Sequence, residues 1–92
     1  MDDRRGAAAN PQASAALRSV VEVVARALVD HPDAVKVTDT QRRGMTVLEL
    51  STAPGDMGKI IGRQGRTAAA LRTLVALTAE KQGVRAQLDI RD

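Results

Sequence analysis

The sequence predicts one α+β domain in the order helix, strand, strand, short helix, helix, strand. Apolar residues recur at helical spacing in two stretches, the last stretch alternates with period 2, and Gly- and Pro-containing breaks separate these segments. At 92 residues there is room for a single core, and Val, Leu and Ile, 21 residues in all, are enough to build one.

Residues 1–13 (MDDRRGAAANPQA) lack apolar periodicity and read as a disordered leader, which leaves 14–92 for the domain. From Ser14, a suitable N-cap, Leu17, Val20, Val21, Val24 and Leu28 share one helix face, and Pro32 stops the helix near Asp30. Val35 and Val37 alternate with Lys36 and Thr38. Gln41, Arg42, Arg43 and Gly44 then link to an apolar strand over 45–50, giving a hairpin with a basic tip. A strand apolar at nearly every position suits the centre of a sheet. Residues 53–56 break it, and Asp56 is placed to cap a short helix over Met57–Ile61. A second long helix runs from Thr67 to about Lys81, with Leu71, Leu74, Val75 and Thr78 on its apolar side, and Gly83 ends it. Val84, Ala86, Leu88 and Ile90 alternate with Arg85, Gln87, Asp89 and Arg91 as a half-buried strand.

Composition removes several function classes. With no Cys and one His, zinc sites, thiol chemistry and His-paired nucleophiles are excluded as readings, and neither a cofactor nor an enzyme activity is expected. No apolar run is long enough to span a membrane, and the charged start is not that of a secretory signal, so a soluble, cytoplasmic protein is expected. The absence of Phe, Tyr and Trp leaves only aliphatic surface and backbone for resting bases. Net charge is +3, and residues 57–79 hold four cations and no acid. His31, before Pro32, reads as a helix-terminus residue.

That acid-free block contains Gly58, Lys59, Ile60, Ile61, Gly62, Arg63, Gln64, Gly65, Arg66 and Thr67, with three glycines between two helical segments. Such a path brings backbone amides close to a ligand, and Lys59, Arg63 and Arg66 add positive charge, so the segment suits phosphate. A P-loop is ruled out, because Ile60 stands five residues before Gly65 and Arg66 replaces the lysine. A dinucleotide-binding turn is ruled out as well, because the glycines follow a helix and not a strand.

The run Ile60-Ile61-Gly62-Arg63-Gln64-Gly65-Arg66 between two helices resembles the signature of KH RNA-binding domains, whose GXXG loop clamps about four nucleotides by the backbone. Over residues 14–91 the element order resembles the type II KH arrangement, most closely that of the small stand-alone bacterial KH proteins of the KhpA family. The resemblance implies a three-stranded mixed sheet packed against three helices, and single-stranded RNA as ligand. It implies that Gly62 and Gly65 make the turn, that Arg63 and Gln64 face phosphates, and that Ile60, Ile61 and Ala68 floor the groove. Lys59 and Arg66 would flank the loop, and Arg42 and Arg43 would correspond to the variable loop on the opposite rim. Also implied are a role as RNA chaperone or post-transcriptional regulator, links to cell elongation and division, and a homodimer or a heterodimer with a Jag-type (KhpB) RNA-binding protein. With about three phosphates neutralised, the salt slope for a single strand is expected near −2. The competing reading is a protein-interaction adaptor on the KH scaffold, using apolar surface of the Val-rich first helix.

Overall fold

The computed structural model describes residues 10–91. Helix α1 spans Pro11–Leu28, strands β1 and β2 span Lys36–Arg42 and Met45–Ser51, helices α2 and α3 span Met57–Ile61 and Arg66–Gln82, and β3 spans Arg85–Arg91. Single 3-10 turns occupy Pro32–Ala34, Pro54–Asp56 and Arg63–Gly65. The order is the expected αββααβ.

The first helix begins four residues earlier than its apolar pattern suggests. Asn10, not Ser14, is the N-cap: its side chain accepts the Ala13 amide at 3.0 Å, and Pro11 takes the first helical position, where its missing N–H is no loss. The Asn-Pro step is therefore a helix start. Of the leader expected over 1–13, residues 11–13 belong to α1 and 1–9 lie outside the described residues. The buried stripe is also rotated from the predicted one. Ala13, Ser14, Leu17, Val21 and Ala25 are buried, Val20 and Val24 are half-buried, and Leu28 is exposed. The small residues in that stripe are what let α1 lie close on its neighbours.

β1 and β2 pair antiparallel from Lys36↔Ser51 to Arg42↔Met45, so the hairpin loop is only Arg43 and Gly44, shorter than the four-residue link predicted. Both have positive φ, 54° and 76°, the requirement of the tight two-residue turn whose twist matches the strands. β2 pairs parallel with β3, from Met45↔Arg85 to Ser51↔Arg91, and the strand order is β1-β2-β3, with the apolar strand central as predicted. Helix α3 makes the return crossover. It ends in a Schellman motif: Gly83, at φ 73°, donates to Glu80 O, and Val84 donates to Ala79 O.

The sheet buries Val37, Leu48, Leu50 and Leu88 against Leu17, Val21 and Ala25 of α1, Ile60 of α2, and Leu71, Val75 and Ala79 of α3. Ala86 and Ile90 pack on the edge of that core, as the period-2 pattern of β3 predicts. On α3, Ala68 and Ala79 join Leu71 and Val75 in the buried stripe, while Leu74 is exposed and Thr78 half-buried. Among the described residues no element lies on the other face of the sheet.

Candidate nucleic-acid interface

The loop between α2 and α3 is built from four residues, three of them at positive φ. Gly62 closes α2, its amide donating to Gly58 O at 2.9 Å, and has φ 76° and ψ 170°, a region open essentially to glycine alone. A second constraint applies to it. A Cβ there would fall 2.6 Å from Thr67 Cβ and 2.9 Å from the Thr67 amide nitrogen, so the first turn of α3 is packed on the bare glycine. Gln64 (φ 58°, ψ 25°) and Gly65 (φ 74°, ψ 12°) are left-handed in succession, and a Cβ on Gly65 would meet nothing within 4 Å. Gly65 is therefore required for its dihedral only. The left-handed Gln64 costs about 1–2 kcal/mol, which the turn bonds Gly65 N to Gly62 O and Arg66 N to Arg63 O offset.

No side chain caps α3. Its positive end thus faces outward beside Arg63, Gln64 and Arg66, all exposed. The Arg66 guanidinium donates to Gln64 Oε1 at 2.9 Å, which fixes the two side chains together across the turn.

The four cations of the acid-free block are not equivalent in space. Lys59 Nζ lies 3.3 Å from Asp30 Oδ2 and 4.0 Å from Asp56 Oδ1, and Arg72 Nε donates to Leu88 O at 3.4 Å. Arg63 and Arg66 have no carboxylate within ion-pair distance among the described residues. Within this block, the charge available to an incoming phosphate is therefore concentrated on the loop itself.

Asp56, predicted to cap α2, makes no capping bond. Its carboxylate is buried beneath His31, where Oδ2 accepts the His31 amide at 2.9 Å and the His31 ring Nδ1 at 3.1 Å. Burial pushes this carboxyl up, but the bonds from the His31 backbone and ring, the bond from the Asp30 backbone and the His31 charge outweigh it. The group is held below its ordinary value of 3.8. This Asp30–His31–Asp56–Lys59 cluster ties the end of α1 to the start of α2. His31 is the terminus residue its sequence position suggests, and it also anchors the helix that presents the loop.

Two groups of expected site residues fall elsewhere. Ile60 is wholly buried in the core and Ala68 is 3% exposed, so neither offers a groove floor; Ile60 joins α2 to the core cluster, and Ile61, 37% exposed, is the aliphatic side chain of the three left at the surface. Arg42 and Arg43 sit at the hairpin turn. That end of the sheet adjoins the C-terminal half of α3, where Met45 shares a concavity with Leu77 and Glu80. The loop at the N-terminus of α3 is thus about 20 Å away, measured along the helix at 1.5 Å per residue. The structure does not bring the two arginines to the GXXG loop. Sequence reading gave Asp30, Asp56 and Thr67 local roles in their own segments and missed the contacts with Lys59, His31 and Gly62 through which they shape the site.

The sequence model of the KhpA/KhpB KH domain matches residues 18–90. Among curated relatives, RNA-binding protein KhpA of Halalkalibacterium halodurans is 51% identical over 76 residues, 83% of this chain and all of the relative. RNA-binding protein KhpA of Aquifex aeolicus is 44% identical over 75 residues, 82% of this chain and 95% of the relative. RNA-binding protein KhpA of Mycobacterium bovis is 56% identical over 64 residues, covering 68% and 79%. All three names describe binding and none a reaction.

Proposed function

This chain belongs to the KhpA/KhpB family of KH domains, and on that premise we propose that it binds single-stranded RNA by the backbone through Gly62, Arg63, Gln64 and Gly65. The observation that carries this reading is the loop itself: an uncapped helix start beside Arg63 and Arg66, the two cations of the block with no carboxylate or main-chain carbonyl partner among the described residues. Gly62 and Gly65 let the chain turn tightly enough for phosphate to approach amides. Arg66 flanks the loop, and Ile61 supplies the aliphatic surface a base can rest on. Lys59 contributes only when its pairing with Asp30 opens. With two phosphates and not three neutralised, the salt slope is about −1.4.

A site this small and without aromatics binds weakly, and weak single sites gain from a second one on a partner. Val20, Val23 and Val24 of α1 with Leu74 of α3 form an apolar surface that supports such partnership, with a second copy or a Jag-type (KhpB) protein. The same surface is what favours the adaptor reading. We read its role as that of a cytoplasmic RNA chaperone or post-transcriptional regulator, which a mode of binding that grips backbone and is tolerant of base identity supports.

The test is fluorescence anisotropy with a mixed-sequence single-stranded RNA, comparing the wild type with Arg63→Asp/Gln64→Asp and using circular dichroism to check folding. Both residues are exposed, so the variant is expected to fold and to lose binding. A folded variant that binds as well as the wild type contradicts the loop assignment and moves the weight to the adaptor.

A further inference from the structure

The uncovered face of the sheet carries its charge in rows. Strand pairing sets Arg42, Met45 and Arg85 side by side, then Thr40, Val47 and Gln87, then Thr38, Glu49 and Asp89, and last Lys36, Ser51 and Arg91. Val37 and Leu88 point into the core, so the alternation of side chains puts Arg42 and Arg85 on the opposite, open face. They stand two strand spacings apart, roughly 10 Å. Arg43 lies at the turn beside them, and all three are exposed.

The row of acids does not neutralise this end. Glu49 lies 3.4 Å from Arg91 at the far side, Asp89 accepts from Gln87 Nε2 at 3.1 Å, and the acids stand about 13 Å along their strands from the arginine row. Among the described residues, Arg42, Arg43 and Arg85 have no carboxylate within ion-pair distance. Three guanidinium forks across 10 Å, fringed by Thr40 and Gln87 as neutral hydrogen-bonding groups, match successive phosphates of a flexible strand.

We propose that Arg42, Arg43 and Arg85 form a second phosphate-binding site, which holds single-stranded RNA that has already passed the GXXG loop. This rests on the loop reading above and adds a length requirement to it. The separation of about 20 Å corresponds to about six nucleotides at a stacked rise of 3.4 Å and to fewer in an extended strand. Added to the four in the loop, an RNA of about ten nucleotides reaches both sites in either form, and a pentanucleotide fills the loop alone.

Anisotropy with 5-nucleotide and 15-nucleotide single-stranded RNAs tests this on three proteins: wild type, Arg42→Gln/Arg85→Gln, and Arg63→Asp/Gln64→Asp. The arginine pair is expected to weaken the 15-mer about fivefold, to reduce its salt slope by about 1.4, and to leave the 5-mer unchanged. The single substitutions should show the same length dependence with about half the logarithmic loss, which keeps the test open if the pair disturbs folding. Unchanged binding of the 15-mer overturns the proposal by removing RNA from this face. Equal loss on both lengths overturns it by placing the arginines within the first site. Failure of the loop reading is distinguishable, because Arg63→Asp/Gln64→Asp would then bind both RNAs normally.

Discussion

The hairpin turn and the GXXG loop share a backbone device and differ in everything around it. Arg43 and Gly44 have φ of 54° and 76°, and Gln64 and Gly65 have 58° and 74°, so each turn is a long polar residue and a glycine in left-handed conformation. At the hairpin the two residues only reverse a strand, and nothing lies within 4 Å of a Cβ on Gly44. At the loop the same pair is preceded by Gly62, on which Thr67 is packed, and followed by the free start of α3. Turn chemistry is thus common to both ends of the molecule. What the loop end has and the hairpin end lacks is the close-packed glycine and the helix dipole behind it.

The largest effect expected from breaking this difference is at Gly62. Gly62→Ala places a Cβ against the Thr67 side chain and backbone in a region that only glycine occupies, and should cost about 3 kcal/mol and abolish RNA binding. Gly65→Ala and Gly44→Ala meet no atom and should each cost only about 1 kcal/mol, read as denaturation midpoints at constant slope. Equal costs at all three positions would show that the Thr67 contact does not matter.

Acid should loosen the loop end before the hairpin end. The Asp56 carboxyl is held below 3.8 in the folded chain, so its contribution is present above that pH and is lost as pH falls through the folded value. In Asp56→Asn the fall in stability below pH 3.8 should be shallower than in wild type, as followed by thermal melts from pH 6 to pH 2. An unchanged pH profile would show that the His31–Asp56 bonds do not carry the linkage.

The smallest effect sharpens the charge comparison. Asp30→Asn releases Lys59 beside the loop, and since the pair is exposed, RNA affinity should rise only about twofold in low salt, with no gain in high salt. Weaker binding in Asp30→Asn would mean that Asp30 positions the loop and does not restrain Lys59.

Periodicity made the fold legible because it reports each element alone. The strict alternation of residues 84–91 predicted a half-buried strand and the continuous apolar run of β2 a central one; both strands form, and β2 stands in the centre. Small residues hid the exact faces: Ala13, Ser14 and Ala25 line the buried stripe of α1, while Leu28 and Leu74, which fit the spacing, are exposed. Helix burial follows the approach of neighbouring elements as well as hydropathy. The glycines of the loop were legible, since positive φ leaves a mark on sequence, but the second demand on Gly62 depends on where Thr67 returns. Ile60 and Ile61 look alike in sequence, yet a helix turns successive side chains about 100° apart, so one is buried and the other faces solvent. The partnering of Lys59 with Asp30 is likewise a product of the fold, and it disqualifies counting charge along the chain as a measure of charge at the site.

The central claim is that the loop end, and not the hairpin end, grips a short RNA. The most direct measurement is the affinity of a single-stranded pentanucleotide for two matched charge reversals, Arg63→Asp/Gln64→Asp at the loop and Arg42→Asp/Arg43→Asp at the hairpin, at physiological salt. Binding lost in the first and retained within about twofold in the second is the predicted result, because the hairpin lies beyond the screening length of about 8 Å. Binding retained in the first and lost in the second would contradict the account.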